Sequence, residues 1–179
     1  MCDKCGYTIM DKDNKGTLRK KLQEEGHSDG IKKCENTHLR EISLGYYFKT
    51  DVIKIEFKKH LQFHEALSFL YAFLDGISFT FSIERKDIDG VVALEKNSTY
   101  SVVVFDAVPG GAGYVKNLMN EKNLALVLND TLKNISSCTC DDETSCYNCL
   151  RNYKNQRHHR FLKRSSAMKV INDILCHNK

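Results

Sequence analysis

The chain has 179 residues, 41% hydrophobic and 28% charged, which suits one globular domain with or without a small appendage and excludes a disordered or fibrous chain. Its net charge of +4 permits an anionic partner without demanding one. Eight cysteines with no recognisable secretory leader point to a reducing, cytoplasmic setting, where clustered cysteines more often bind metal than pair.

The opening Cys2-Asp3-Lys4-Cys5-Gly6 is a knuckle turn, in which glycine lets backbone N–H groups approach a thiolate. His27 and Cys34 follow, near Gly26 and Gly30. Cys2, Cys5, His27 and Cys34 form a candidate second metal site of three cysteines and one histidine, although the gap of 21 residues exceeds usual finger spacing. Free thiols and a loop histidine are the alternative. Thr17–Glu25 is expected to form a short helix, and residues 1–43 are read as an N-terminal Cys/His segment ahead of an α/β domain over 44–179.

Leu44–Phe57 reads as strand, with Ile53, Ile55 and Phe57 alternating with Lys54, Glu56 and Lys58. His60 and His64 stand at the next boundary, as cap or surface groups. His64–Phe81 is expected to be a helix apolar on nearly every side, hence the centre of the core. Asp75 and Gly76 in its middle argue against a membrane span over Ala66–Ile83. A polar break over Glu84–Asp89 precedes two strands, Val91–Leu94 and Tyr100–Phe105, joined by a five-residue loop. The apolar run Val102–Phe105 has the pattern of a strand covered on both faces.

That strand runs into Asp106 and the turn Gly110-Gly111-Ala112-Gly113, after which Val115–Lys133 has helical periodicity. Strand, glycine-rich turn and helix together offer backbone N–H groups to an anion. The G-K-[ST] ending of a phosphate loop is absent, and a tight turn between close backbones is the favoured reading. Asp106 either caps that turn or holds a functional group.

Cys138, Cys140, Cys146 and Cys149 lie within twelve residues, as C-x-C, five residues, then C-x2-C. Two close pairs joined by a polar loop suit one tetrahedral Zn2+; two disulfides or unligated thiols are the competing readings. Four thiolates fill the coordination sphere, so such a site is structural rather than catalytic. Beyond it, Arg151, Lys154, Arg157, Arg160, Lys163 and Arg164 place six cations in fourteen residues. At α-helical spacing Arg157, Arg160 and Arg164 align with Tyr153. Cations around an aromatic suit a nucleic-acid backbone plus one stacked base. A solvated face balanced by Asp141, Asp142 and Glu143 is the plainer reading. A last helix, Ser165–Cys176, closes the chain.

Taken in order, Leu44-Gly45, Thr50-Asp51-Val52, Phe105 through Tyr114, the four-cysteine cluster with Leu150, Asn155 and Leu162-x-Arg164 carry a likeness. The combination resembles the zinc-binding C-terminal (MZB-type) domain of MrfA-like DExH-box repair helicases, a domain also found in DrmB-like subunits of the DISARM anti-phage system. The resemblance implies one zinc on Cys138, Cys140, Cys146 and Cys149, and a DNA-processing context. No Walker A or DExH motif is present, so the resemblance implies a non-catalytic module serving a helicase-like ATPase in cis or trans. Single-stranded DNA is the expected partner, contacted by Arg151, Tyr153, Lys154, Arg157, Arg160 and Arg164. Two other functions compete: a phosphodiesterase or nuclease-like enzyme using Asp106 and the glycine-rich turn, and a protein-interaction adaptor. The expected architecture is α/β, with a small mixed sheet from residues 46–57, 90–95 and 100–106. The apolar helix and the helix after the glycine-rich turn flank it, and a four-cysteine zinc knuckle joins it to C-terminal helices.

Overall fold

A computed structural model describes residues 1–8, 27–28, 33–36, 40, 42, 45 and 47–177. The helix expected over Thr17–Glu25 lies outside the described residues, as do Leu44 and Tyr46 of the first expected strand. The chain divides into two compact units, Met1–Tyr47 and Phe48–Lys179. In the first, β1 (His27–Ser28) and β2 (Lys33–Cys34) form a minimal antiparallel pair with His27 directly opposite Cys34.

The second unit is built around α1, Phe63–Phe81. Gln62 precedes it and donates its backbone N–H to Glu65 Oε2 at 2.9 Å, which gives one orphan amide of the helix entry a partner. Ala66, Leu67, Phe69, Leu70, Phe73, Leu74 and Ile77 are all buried, so the helix is covered on most of its circumference. Each large apolar side chain sequestered this way contributes about 1.5–3 kcal/mol relative to exposure. Ser82 ends the helix in the left-handed region (φ 53°). No helix among the described residues is long and apolar enough to cross a membrane.

Three strands cover one side of α1: β3 (Val52–Ile55), β4 (Ile88–Leu94) and β5 (Tyr100–Asp106), in the order β3-β5-β4. The class is α/β as expected, but every pairing is antiparallel rather than mixed. A short connection explains one of the two pairings: β4 turns into β5 through Glu95–Thr99, closed by Glu95 N–H to Thr99 O at 2.8 Å, and a parallel neighbour would need a long crossover. β5 is central, and Val102 and Val104 alone of its apolar run face the core, while Val103 and Phe105 are half-buried. The sheet therefore has one covered face, not two.

The first expected strand is shorter than its apolar pattern. Only Val52–Ile55 join the ladder, because residues 49–51 spend their backbone groups elsewhere. Lys49 O accepts from Gly110 N at 2.8 Å, Asp51 O accepts from Asp106 N at 3.1 Å, and Thr50 Oγ1 donates to Asp106 O at 2.7 Å. Gly111 has φ +75° and lies against Asp51, where a Cβ would come within 2.6 Å of a carboxylate oxygen. This turn is a close backbone crossing.

The helix after the turn begins later than its periodicity suggests. Val115–Met119 form a 3-10 turn, then Asn120 caps α2 (Glu121–Ser136) by accepting from Lys122 N at 2.9 Å. Helix α2 packs on α1 where Gly76 faces Thr131, and a Cβ at Gly76 would overlap the threonine hydroxyl. Helix α3, Arg164–His177, packs on both, burying Ala167, Val170 and Ile171.

Candidate metal centre

The cysteine cluster begins where α2 stops. Ser137 N–H donates back to Lys133 O at 3.1 Å, and the chain then leaves the helix with Cys138 and Cys140. Asp141 starts a turn by accepting from Glu143 N at 2.8 Å, and the chain returns at Cys146. There Cys146 O accepts from the amides of Cys149, Leu150 and Arg151 at 3.0–3.2 Å. That tight turn aims amides at sulfur: Cys146 N donates to Cys149 Sγ at 3.2 Å and Asn148 N to Cys146 Sγ at 3.4 Å.

The four sulfurs converge. Cys138 Sγ lies 3.5 Å from Cys140 Sγ and 3.4 Å from Cys146 Sγ; Cys149 Sγ lies 3.7 Å from Cys140 Sγ and 3.8 Å from Cys146 Sγ. A tetrahedron with Zn–S bonds of about 2.3 Å has edges of roughly 3.8 Å, so the donor set fits zinc. All four are free cysteines, so neither disulfide is formed. Without a metal the group is electrically uneven. The Cys140 backbone N–H and the Cys146 thiol hold Cys138 down at about 7, whereas burial pushes Cys149 up to about 12. A divalent cation removes that conflict by displacing protons from all four.

The loop between the pairs is fastened to α3. Arg164 N donates to Thr144 O at 2.9 Å and Ser165 N to Asp142 O at 2.8 Å, so loop carbonyls take the orphan amides of the helix start. The Arg164 side chain is buried, donating to Cys138 O, to Ile135 O and to Asp142 Oδ1. Lys163 Nζ and Ser165 Oγ both reach the Glu143 carboxylate, at 2.8 and 2.9 Å. Asp142 and Glu143 thus have specific partners, and Arg164 is withdrawn from the exposed cationic set in which sequence reasoning placed it. Its burial beside four sulfurs carried no sequence signal, since arginine in a basic run reads as surface.

The basic stretch itself is not α-helical. Tyr153–Phe161 form 3-10 turns, kinked at Asn155 (φ −103°, ψ 17°). Asn155 is fully buried and holds the segment to the cysteine turn. Its Nδ2 donates to Leu150 O at 2.8 Å, and its Oδ1 accepts from Asn152 N at 2.8 Å and lies 2.9 Å from His159 Nε2. The alignment of Arg157, Arg160 and Arg164 with Tyr153 therefore does not form. Instead Arg157 and Arg160, three apart, share one edge of a 3-10 turn. Tyr153 is 83% exposed, and Lys154, Arg157 and Arg160 are exposed and carry no salt bridge among the described residues. Arg151 is half-buried, its Nε donating to Ser145 Oγ at 3.0 Å.

Asp106 is fully buried. Its carboxylate accepts from Ala112 N at 2.8 Å, Tyr114 N at 3.1 Å and Val115 N at 3.0 Å. The glycine-rich turn does present amides to an anion, and that anion is the protein's own side chain. Cys2, Cys5, His27 and Cys34 also come together, their ligand atoms all within 4.8 Å of one another.

Residues 69–150 match the family described as the MrfA Zn-binding domain, MZB, a span that starts inside α1 and ends just past Cys149. Over this stretch the chain is similar to the MZB zinc-binding domain. Zinc is its cofactor, and the convergent thiols of residues 138–149 lie inside the matched span. No curated protein matches the chain. Among solved structures, one described as the DUF1998 helicase MrfA bound to DNA is similar at 14% sequence identity and a TM-score of 0.48. The similarity covers 62% of this chain and 14% of that one, so this chain spans a small part of its structural relative. The N-terminal unit and everything after Leu150 lie outside the family match.

Proposed function

We propose that the chain is a non-catalytic, zinc-stabilised DNA-binding module that works beside a helicase-like ATPase, in cis or in trans. Cys138, Cys140, Cys146 and Cys149 hold the zinc. Lys154, Arg157 and Arg160 contact the phosphates of single-stranded DNA, and Tyr153 stacks on a base. The observation that carries this reading is an exposed aromatic ring among exposed cations that have no carboxylate partner among the described residues, on a segment tied through Asn155 to the metal knuckle. Stacking of a base on such a ring is worth about 1–3 kcal/mol. DNA repair or anti-phage defence in the cytoplasm is the setting this reading implies.

The nuclease-like alternative has less support, because Asp106 is sealed in the core with both oxygens occupied by backbone amides. The test is binding of a fluorescent oligodeoxythymidine to the zinc-loaded chain across a salt series. Three phosphate contacts predict a slope of log K against log salt of about −2. Arg157→Ala with Arg160→Ala should flatten that slope by about 1.4, and Tyr153→Ala should weaken binding at every salt concentration. Unchanged binding in both variants sinks the proposal and leaves the adaptor reading.

A further inference from the structure

We propose that the N-terminal unit holds a second zinc ion, bound by Cys2, Cys5, His27 and Cys34 and independent of the MZB centre. The family match begins at residue 69 and does not reach this unit. Three separate stretches deliver the donors. Cys2 and Cys5 flank a turn closed by Gly6 N–H to Cys2 O at 3.0 Å, with Gly6 at φ +76°. The antiparallel pairing of β1 with β2 sets His27 directly across from Cys34. Cys2 Sγ is 4.0 Å from Cys34 Sγ, and Cys5 Sγ is 3.1 Å from His27 Nε2.

Burial is the decisive feature. Among the described residues of this unit, Cys2 and His27 are the buried ones, and both are donors. A hairpin of two residues per strand does not stand by itself in water. A unit this small usually needs a metal or a disulfide, and its described residues show no buried apolar side chain apart from Cys2. The His27 ring is stacked on Tyr7, with centroids 5.0 Å apart, and its Nδ1 is buried with no hydrogen-bond partner among the described residues. The other ring nitrogen, Nε2, is the one that faces the sulfurs and is placed to ligate. Cys2 Sγ receives the Asn36 side-chain amide at 3.4 Å, a donor suited to thiolate. A disulfide would consume two of the three thiols that converge with the imidazole. Three sulfurs and one imidazole nitrogen within 4.8 Å of one another are a zinc donor set. With all four positions taken by protein, the ion is structural.

The test is zinc content per full-length, tag-free chain by elemental analysis, with the thiols kept reduced. The wild type should carry two equivalents. Cys34→Ser and His27→Ala should each carry one, and His27→Cys, which restores a fourth donor, should return to two. Cys146→Ser with Cys149→Ser should also carry one, so loss of the MZB ion and loss of the N-terminal ion read separately. A wild-type chain with one equivalent that Cys34→Ser does not lower overturns the proposal. So does a His27→Ala chain that keeps two, or an intact mass two hydrogens light with no zinc lost on Cys34→Ser.

Discussion

Cys138, Cys140, Cys146 and Cys149 come from one twelve-residue stretch, whereas Cys2, Cys5, His27 and Cys34 are gathered from three. The first set hangs on a body with a large core of its own, centred on Phe69, Phe73, Leu74, Ile77, Val102 and Val104. The second has no described apolar centre beyond its own ligands. A similar donor geometry therefore has two energetic meanings. On the larger body a metal at residues 138–149 would clamp an edge, tying α2, the acidic loop and the start of α3; the proposed N-terminal ion would hold together the described part of its unit.

Metal removal should separate the two most widely. Structural zinc supplies on the order of 10 kcal/mol of folding energy to a segment that lacks a core. A strong chelator should therefore abolish hydrogen-exchange protection at His27 and Cys34. Protection in α1 and β5 should persist, with loss confined to residues about 138–164. Loss of α1 protection on chelation would show that the two regions do not differ in this way.

The converse experiment attacks the body and spares the metals. Asp106→Ala leaves three amides unpaired, that of Val115 buried and those of Ala112 and Tyr114 part-buried, and should lower the thermal midpoint without changing zinc content, the buried one alone costing about 1–3 kcal/mol. Gly76→Ala forces α1 and α2 apart at Thr131 and should cost about 1–3 kcal/mol. Thr131→Ala with Gly76→Ala should recover part of it, measured by urea unfolding.

A smaller effect comes from Glu65. Burial raises its carboxyl, but the Lys169 ammonium at 2.7 Å and the Gln62 N–H outweigh burial and hold it below the ordinary value. A carboxylate depressed on folding adds stability above its unfolded pKa of about 4.3 and loses it as pH falls through the folded one. Lys169→Met should shrink that acid-side loss, seen as a flatter dependence of the urea midpoint on pH below about 4.3.

The zinc cluster, the apolar helix and the hairpin of β4 and β5 were legible because each is local. Metal spacing, all-round apolarity and a five-residue polar loop are patterns within a few residues of one another. The basic segment was misjudged because its conformation is set at one position. Asn155 turns inward to bind Leu150 O, and that breaks α-helical geometry in a stretch whose composition shows only charge. Arg164 was misplaced for the same reason: its partners, Ile135 O, Cys138 O and Asp142, are 22 to 29 residues away.

What the amino-acid order determined by itself is which residues can take a metal and which run must lie inside. Thiol spacing and unbroken apolarity are chemical facts that no neighbour alters. What only the tertiary structure decided is which charges are spent inside the fold and which stay exposed. Asp106 serves the glycine-rich turn's amides and Arg164 serves the loop carbonyls, while Lys154, Arg157 and Arg160 stay at the surface. A charge is used or left over according to the polar groups that folding brings within about 3 Å, and those come from distant parts of the chain.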